Sequence, residues 1–171
     1  MSSLPSVDLT QLLAATWPPV GAERVGPFLV PEGGGGGSRV SAARLADPEG
    51  DLVDVDPGLL CGVRLAQERL GQEDRVMVLS HQTGLDAGLI AEGYWLRDAT
   101  DILVTPVDAL ADPPPPARCF EIWPPLAIQT EIWEAAGIGA GRRDVMDRVT
   151  GPKTSLLGRV GDRPAGTAFV A

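Results

Sequence analysis

The sequence holds one histidine, His81, and two cysteines, Cys61 and Cys119, and this scarcity removes several chemistries at once. Zinc-type sites are built from clustered Cys and His ligands, whereas these cysteines lie far apart with the lone histidine between them, so no metal is expected. The start, Met1-Ser2-Ser3-Leu4-Pro5, carries no basic cluster ahead of an apolar run, as a secretory signal would. The thiols therefore read as reduced, small apolar residues. No stretch stays apolar for the roughly 18 residues that a bilayer span needs. The expectation is a cytoplasmic chain with no membrane partner. Positive charge is short as well, with 14 Lys and Arg against 23 Asp and Glu and a net charge of −9. Nucleic-acid affinity comes largely from cations that neutralise phosphates, so no nucleic-acid partner is expected.

Catalytic signatures are equally sparse. There is no Gly-x-Ser-x-Gly turn, and neither cysteine sits in a local nucleophile motif. His81 follows a candidate strand, but no neighbouring cluster offers a partner for base chemistry, and it reads as a surface or capping histidine. A hydrolase is not expected.

What is present belongs to a folding chain. Hydrophobic residues make up 44% and charged residues 22% of 171, which is ordinary globular usage and allows one domain or two small ones. A short helical pattern on Leu9, Leu12 and Leu13 stops at Trp17-Pro18-Pro19. Gly26–Val30 and Arg39–Ala43 read as the arms of a hairpin whose long flexible tip is the run Gly33 to Gly37. The same run could cradle an anion through its amides, although the Lys-Ser/Thr pair of a P-loop is absent. Leu59–Leu70 is spaced as a helix ended by Gly71. Arg75–Ser80, Gly84–Glu92 and Thr100–Val107 then read as strand, helix and strand.

The prolines at 113–116 mark a linker, because consecutive prolines favour an extended polyproline form and cannot pair in a central strand. Two units are expected, 1–112 and 117–171. In the second, Arg118–Trp123 reads as extended, and a helix from Pro124-Pro125 runs through Trp133 to the break Gly137-Ile138-Gly139. A helix Arg142–Val149 follows, then a hairpin of Thr154–Val160 and Ala165–Val170. Trp123 and Trp133 read as core or, alternatively, as the lining of a pocket. Arg142-Arg143 reads as a solvated helix start or as a contact for an acidic ligand.

This order of strand, helix, Gly-rich break, helix and hairpin, with the hairpin spelled Leu156-Leu157-Gly158-Arg159-Val160-Gly161-Asp162-Arg163-Pro164-Ala165-Gly166-Thr167-Ala168, resembles the first half of a GNAT-type N-acetyltransferase domain. The earlier part is similar to the leading, degenerate module of two-module bacterial members, on Trp17-Pro18, Gly37-Ser38-Arg39-Val40-Ser41 and the stretch Leu85 to Tyr94. The resemblance implies a mixed α/β (α+β) fold of mainly antiparallel GNAT-like sheets with flanking helices, the second unit incomplete. It also implies acetyl-CoA as co-substrate and an amine of a small molecule or protein as acceptor. The family mechanism is direct attack by the neutral amine on the thioester, with a backbone amide polarising the carbonyl.

The resemblance places the acceptor around Trp133, Gly137, Ile138 and Arg142. It also implies a strand followed by an Arg/Gln-x-x-Gly-x-Gly/Ala turn that holds the pyrophosphate, and no Arg-x-x-Gly-x-Gly occurs here. Cofactor-binding and catalytic residues are therefore unassigned, and the chain alone is expected to be inactive. A truncated frame, an expressed fragment and a sheet completed by another chain, as in a homodimer, all stay open. The competing expectation is a non-enzymatic ligand-binding or regulatory module.

Overall fold

The structure is a computed structural model that describes residues 9–109, 115 and 117–171. The first five residues and, apart from Pro115, the expected linker 113–116 lie outside the described residues. Within them the chain is a mixed α+β protein. Its helices are α1 (Leu9–Thr16), α2 (Ser38–Ser41), α3 (Pro57–Arg69), α4 (Thr83–Ala91), α5 (Ala127–Ala135) and α6 (Ala140–Arg148). Its strands are β1 (Gly21–Val25), β2 (Phe28–Glu32), β3 (Arg44–Leu45), β4 (Cys119–Ile122), β5 (Thr154–Val160) and β6 (Arg163–Val170). They form two antiparallel three-stranded sheets, ordered β1-β2-β3 and β4-β5-β6.

The compact units do not follow the chain in order. One comprises the described residues up to Tyr94 together with Ile138–Pro152 and Ala171, and the other comprises Trp95–Gly137 and Lys153–Val170. Helix α6 thus belongs with the N-terminal elements.

In the first unit β1 and β2 are a hairpin, with Gly21 opposite Glu32 and Val25 opposite Phe28. Gly26 makes the turn at φ +56°, a left-handed conformation that glycine adopts without strain. Phe28 and Val30 point inward and are fully buried with Leu60, Val63 and Ala66 of α3 and Leu85 and Leu89 of α4. Those spacings of three and four residues put one helical face on the sheet.

The two helices of this core have capped starts. Asp56 caps α3 by accepting from the Leu59 amide at 2.9 Å, with Pro57 in the first turn. Helix α4 is capped from a distant part of the chain, where Asp51 accepts from the amides of Gly84 at 2.8 Å and Leu85 at 2.9 Å. Those two bonds, Leu85 first, hold the Asp51 carboxyl below its ordinary range.

Three expectations need correction. The arm Gly26–Val30 does pair as a hairpin, but with β1 rather than with Arg39–Ala43, of which Ser38–Ser41 is the helical turn α2. Nor is the glycine run a free tip, because α6 is seated on it. A Cβ on Gly141 would stand 2.5 Å from the Gly35 carbonyl oxygen, and one on Gly36 would meet Val145 of α6 and lie 2.7 Å from Val40. Only glycines permit that approach of loop to helix. Arg148 reinforces it by donating from Nε to the Pro18 carbonyl at 3.2 Å and from Nη2 to the Gly33 carbonyl at 3.4 Å.

The expected strands Arg75–Ser80 and Thr100–Val107 are not ladder strands among the described residues. The first makes one parallel bridge, Val76 to Ala43, and the second has no regular structure before a short 3₁₀ turn at Val107–Ala109. Strand-forming residue types express themselves only against a partner strand, and Leu103 is 90% exposed.

In the second unit β5 pairs with β4 on one side and β6 on the other, with Leu157 opposite Phe120 and Thr167, and the register shifts between Gly158 and Arg159. The hairpin expected there is present, with β6 starting slightly earlier, at Arg163.

Two measurements check this account. Gly141→Ala, which in an ordinary helix adds stability, should here destabilise by about 1–3 kcal/mol because the new methyl meets backbone, and thermal melting reads the sign. Asp51→Ala should melt below the parent at neutral pH. Since the folded-state pKa of Asp51 is depressed, its contribution is present above the ordinary carboxylate range and is lost as the pH falls through the folded value. The two melting curves should therefore converge in acid.

Candidate functional site

In the second unit helix α5 buries two side chains, Trp133 and the polar Gln129, which is fully shielded from solvent. Its Oε1 accepts from the Leu126 amide at 2.9 Å, and its Nε2 donates to Ser155 Oγ at 3.0 Å and to Thr167 Oγ1 at 3.2 Å. Ser155 passes the chain on by donating to the Ile122 carbonyl. One amide thus joins the start of α5 to all three strands, and buried polar groups of this kind are stable only when every member is satisfied. At the strand ends Trp123 is half-buried, its ring tilted against Phe169 at 5.5 Å between centroids with the Lys153 ammonium 5.0 Å over it. Such a cation over an indole adds an electrostatic contact to the packing.

The expected acceptor residues divide two and two. Trp133 on α5 and Gly137 just after it belong to the second unit, whereas Ile138 and Arg142 belong to the first. Trp133 is only 3% exposed and serves as core, while Gly137 is exposed with φ +77°. Ile138 is half-buried, and its carbonyl accepts from Arg143 Nη1 at 3.3 Å. Arg142 is exposed on α6, its guanidinium laid against Gly37, where Nε stands 3.4 Å from the position a Cβ would take. Sequence reasoning held the glycine run and Arg142 as two separate weak signals; the structure brings them to one place. Gln129 carried no signal, since nothing in its spacing distinguishes it from a surface glutamine.

Other reactive groups stay apart. His81 is exposed with Nε2 2.9 Å from the Pro48 carbonyl oxygen. Cys61 and Cys119 are half-buried free thiols. Tyr94 Oη donates to Asp74, 2.8 Å from each carboxylate oxygen, and burial raises its pKa well above the ordinary tyrosine value. No group of three or more His, Cys, Asp and Glu able to hold a metal occurs among the described residues. Among the same residues no helix is long and apolar enough to cross a membrane. A cleft lined by Arg44, Leu45, Pro48, Met77, Leu79 and Gln82 has a cavity volume of only about 10 Å³, room for one water and far below the roughly 300 Å³ at which pockets for organic ligands begin.

The acetyl-CoA implied by the resemblance needs backbone amides at a helix start to hold its pyrophosphate. The one stretch with the looser spelling Arg-x-x-Gly-x-Ala, Arg163 to Ala168, lies along the strand β6 paired with β5 and not at a helix start. The described residues do not fit that group. Compared with known proteins, the chain matches no family model, no curated protein and no solved structure.

Gln129→Ala should leave the Ser155 and Thr167 hydroxyls and the Leu126 amide without their shared partner. A loss of about 1–3 kcal/mol is expected in denaturant unfolding, with the indole signal of Trp133 reporting the loosened helix.

Proposed function

We propose that the chain carries the amine-acceptor side of a GNAT-type N-acetyltransferase, a protein that moves an acetyl group from acetyl-CoA to an amine of a small molecule or protein. The observation that supports this reading is the order of elements from Cys119 onward: strand β4, helix α5, the break at Gly137-Ile138-Gly139, helix α6, and the antiparallel hairpin β5-β6 laid beside β4. Charge agrees with the acceptor half of it, since a net charge of −9 raises the local concentration of protonated amines. Of the expected acceptor residues, Trp133 and Gly137 lie in the unit that holds this sheet. The placement of Arg163–Ala168 on a strand assigns no cofactor grip to this chain, so no step of the transfer is routed through it.

The same placement favours a second reading, a non-enzymatic module that binds a ligand without chemistry. The two part on ligand charge. Titration of ¹⁵N-labelled chain with a panel of amines, among them polyamines and peptide N-termini, should give saturable shifts in the second unit, at residues from 119 to 137 and 153 to 170. Acidic and acyl ligands, acetyl-CoA among them, should give none there. Shifts by acyl or acidic ligands with silence from every amine would replace the acetyltransferase reading with the binding module.

A further inference from the structure

Two exposed arginines, Arg39 and Arg142, stand by the glycine run of a strongly acidic chain. Arg142 lies on Gly37 with Nε and Nη2 at 3.4 and 3.5 Å from the position a Cβ would occupy, and it makes no hydrogen bond or ion pair among the described residues. Its neighbour Arg143 is held differently, on the Ile138 carbonyl. Two positions beyond Gly37, Arg39 rests its guanidinium 5.9 Å over the Trp17 ring and is likewise without an acceptor among the described residues. Trp17 leads into Pro18, whose carbonyl Arg148 grips together with that of Gly33. Arg148 is therefore spent on the loop itself, while Arg39 and Arg142 are not. The amides of Gly34, Gly35 and Gly37 also have no acceptor among the described residues, whereas Gly36 donates to the Gly33 carbonyl.

Both guanidinium groups are exposed, and their charge is open to a ligand from solvent. Among the described residues, the carboxylates nearest in sequence, Glu32 before the run and Asp144 on α6, pair with neither arginine. Planar guanidinium forks match the oxygens of a phosphate two at a time, and a phosphate monoester carries close to two negative charges at neutral pH, equal to the two free cations.

We propose that Arg142 and Arg39, together with the open amides of the Gly33–Gly37 loop, form a binding site for a phosphate dianion. This site does not rest on the acetyltransferase reading, since it is built entirely from the first unit and α6. The phosphate could be a free ion or small monoester, or the 3′-phosphate borne by a coenzyme, and the ligand arms below separate these sources.

The test is a titration of the full-length ¹⁵N-labelled chain with inorganic phosphate, followed at the amides of Gly34 to Arg39 and at the Arg142 Nε–H. Saturable shifts confined to these positions are expected, with a Kd on the order of 1 mM for a solvent-exposed site. Arg142→Gln should weaken binding roughly tenfold, the worth of one charge-assisted contact, and Arg39→Gln should weaken it less. Arg97→Gln, an exposed arginine of the second unit, should leave it unchanged. Arg142 is exposed, so its variant should keep the parent melting temperature, and that measurement shows the comparison is made on folded protein. Coenzyme A binding more tightly than its dephospho form would assign the site to a coenzyme phosphate; equal weak binding of both, with free phosphate retained, would assign it to the free ion or a small monoester. Absence of saturable shifts in the parent, or undiminished binding in folded Arg142→Gln, would overturn the proposal.

Discussion

Two stretches of backbone without side chains, Gly35 and Gly141, meet in the first unit, and the placement of α6 follows from that contact. A helix approaches a loop this closely only where neither carries a Cβ at the point of crossing, and a methyl on Gly141 would stand 2.5 Å from the Gly35 oxygen. Once the backbones touch, Val145 packs over Gly36, Arg148 reaches the Pro18 and Gly33 carbonyls, and Arg142 is carried onto Gly37. A helix that follows the proline-rich stretch in sequence therefore completes the unit that precedes it. The loop's own tie to the sheet is Gln72, which accepts from the Gly33 amide at 2.7 Å and donates to the Pro31 carbonyl at 2.9 Å.

The second unit solves a different problem. Its sheet has only three strands, and one face must be joined to α5 with few large side chains to do it. Gln129 substitutes a saturated set of hydrogen bonds for some of the missing apolar area, reaching Ser155 on β5, Thr167 on β6 and, through Ser155, the last residue of β4. Trp133, buried one helical turn further along, supplies the apolar part. The result is a sheet whose strands are fixed relative to the helix by direction-specific contacts as well as by packing.

Much of this was legible in the residues. Helices α3, α4, α5 and α6 and the hairpin β5-β6 all follow from apolar spacing and Gly or Pro punctuation, because their partners are either local or supplied by one amphipathic face. What failed were features whose conformation is decided by distant chain. Five glycines in a row carry no periodicity, so nothing local says whether they swing free or receive a helix from far along the sequence. Ile102, Leu103 and Val104 have the residue types of a strand, yet strand formation requires a ladder partner that composition does not name. The pairing of Arg142 with Gly37 was hidden for the same reason: each end was noticed, but only the fold joins them.

The most direct measurement is the backbone order parameter of Gly33 to Gly37 by ¹⁵N relaxation. If α6 is seated on the glycine run, these amides should show values of about 0.85, equal to those of the core strands around Phe28 and Val30. Values below about 0.6 across the run would mean a mobile hairpin tip with no seated helix, and would contradict both the packing of α6 and the cationic site built on it.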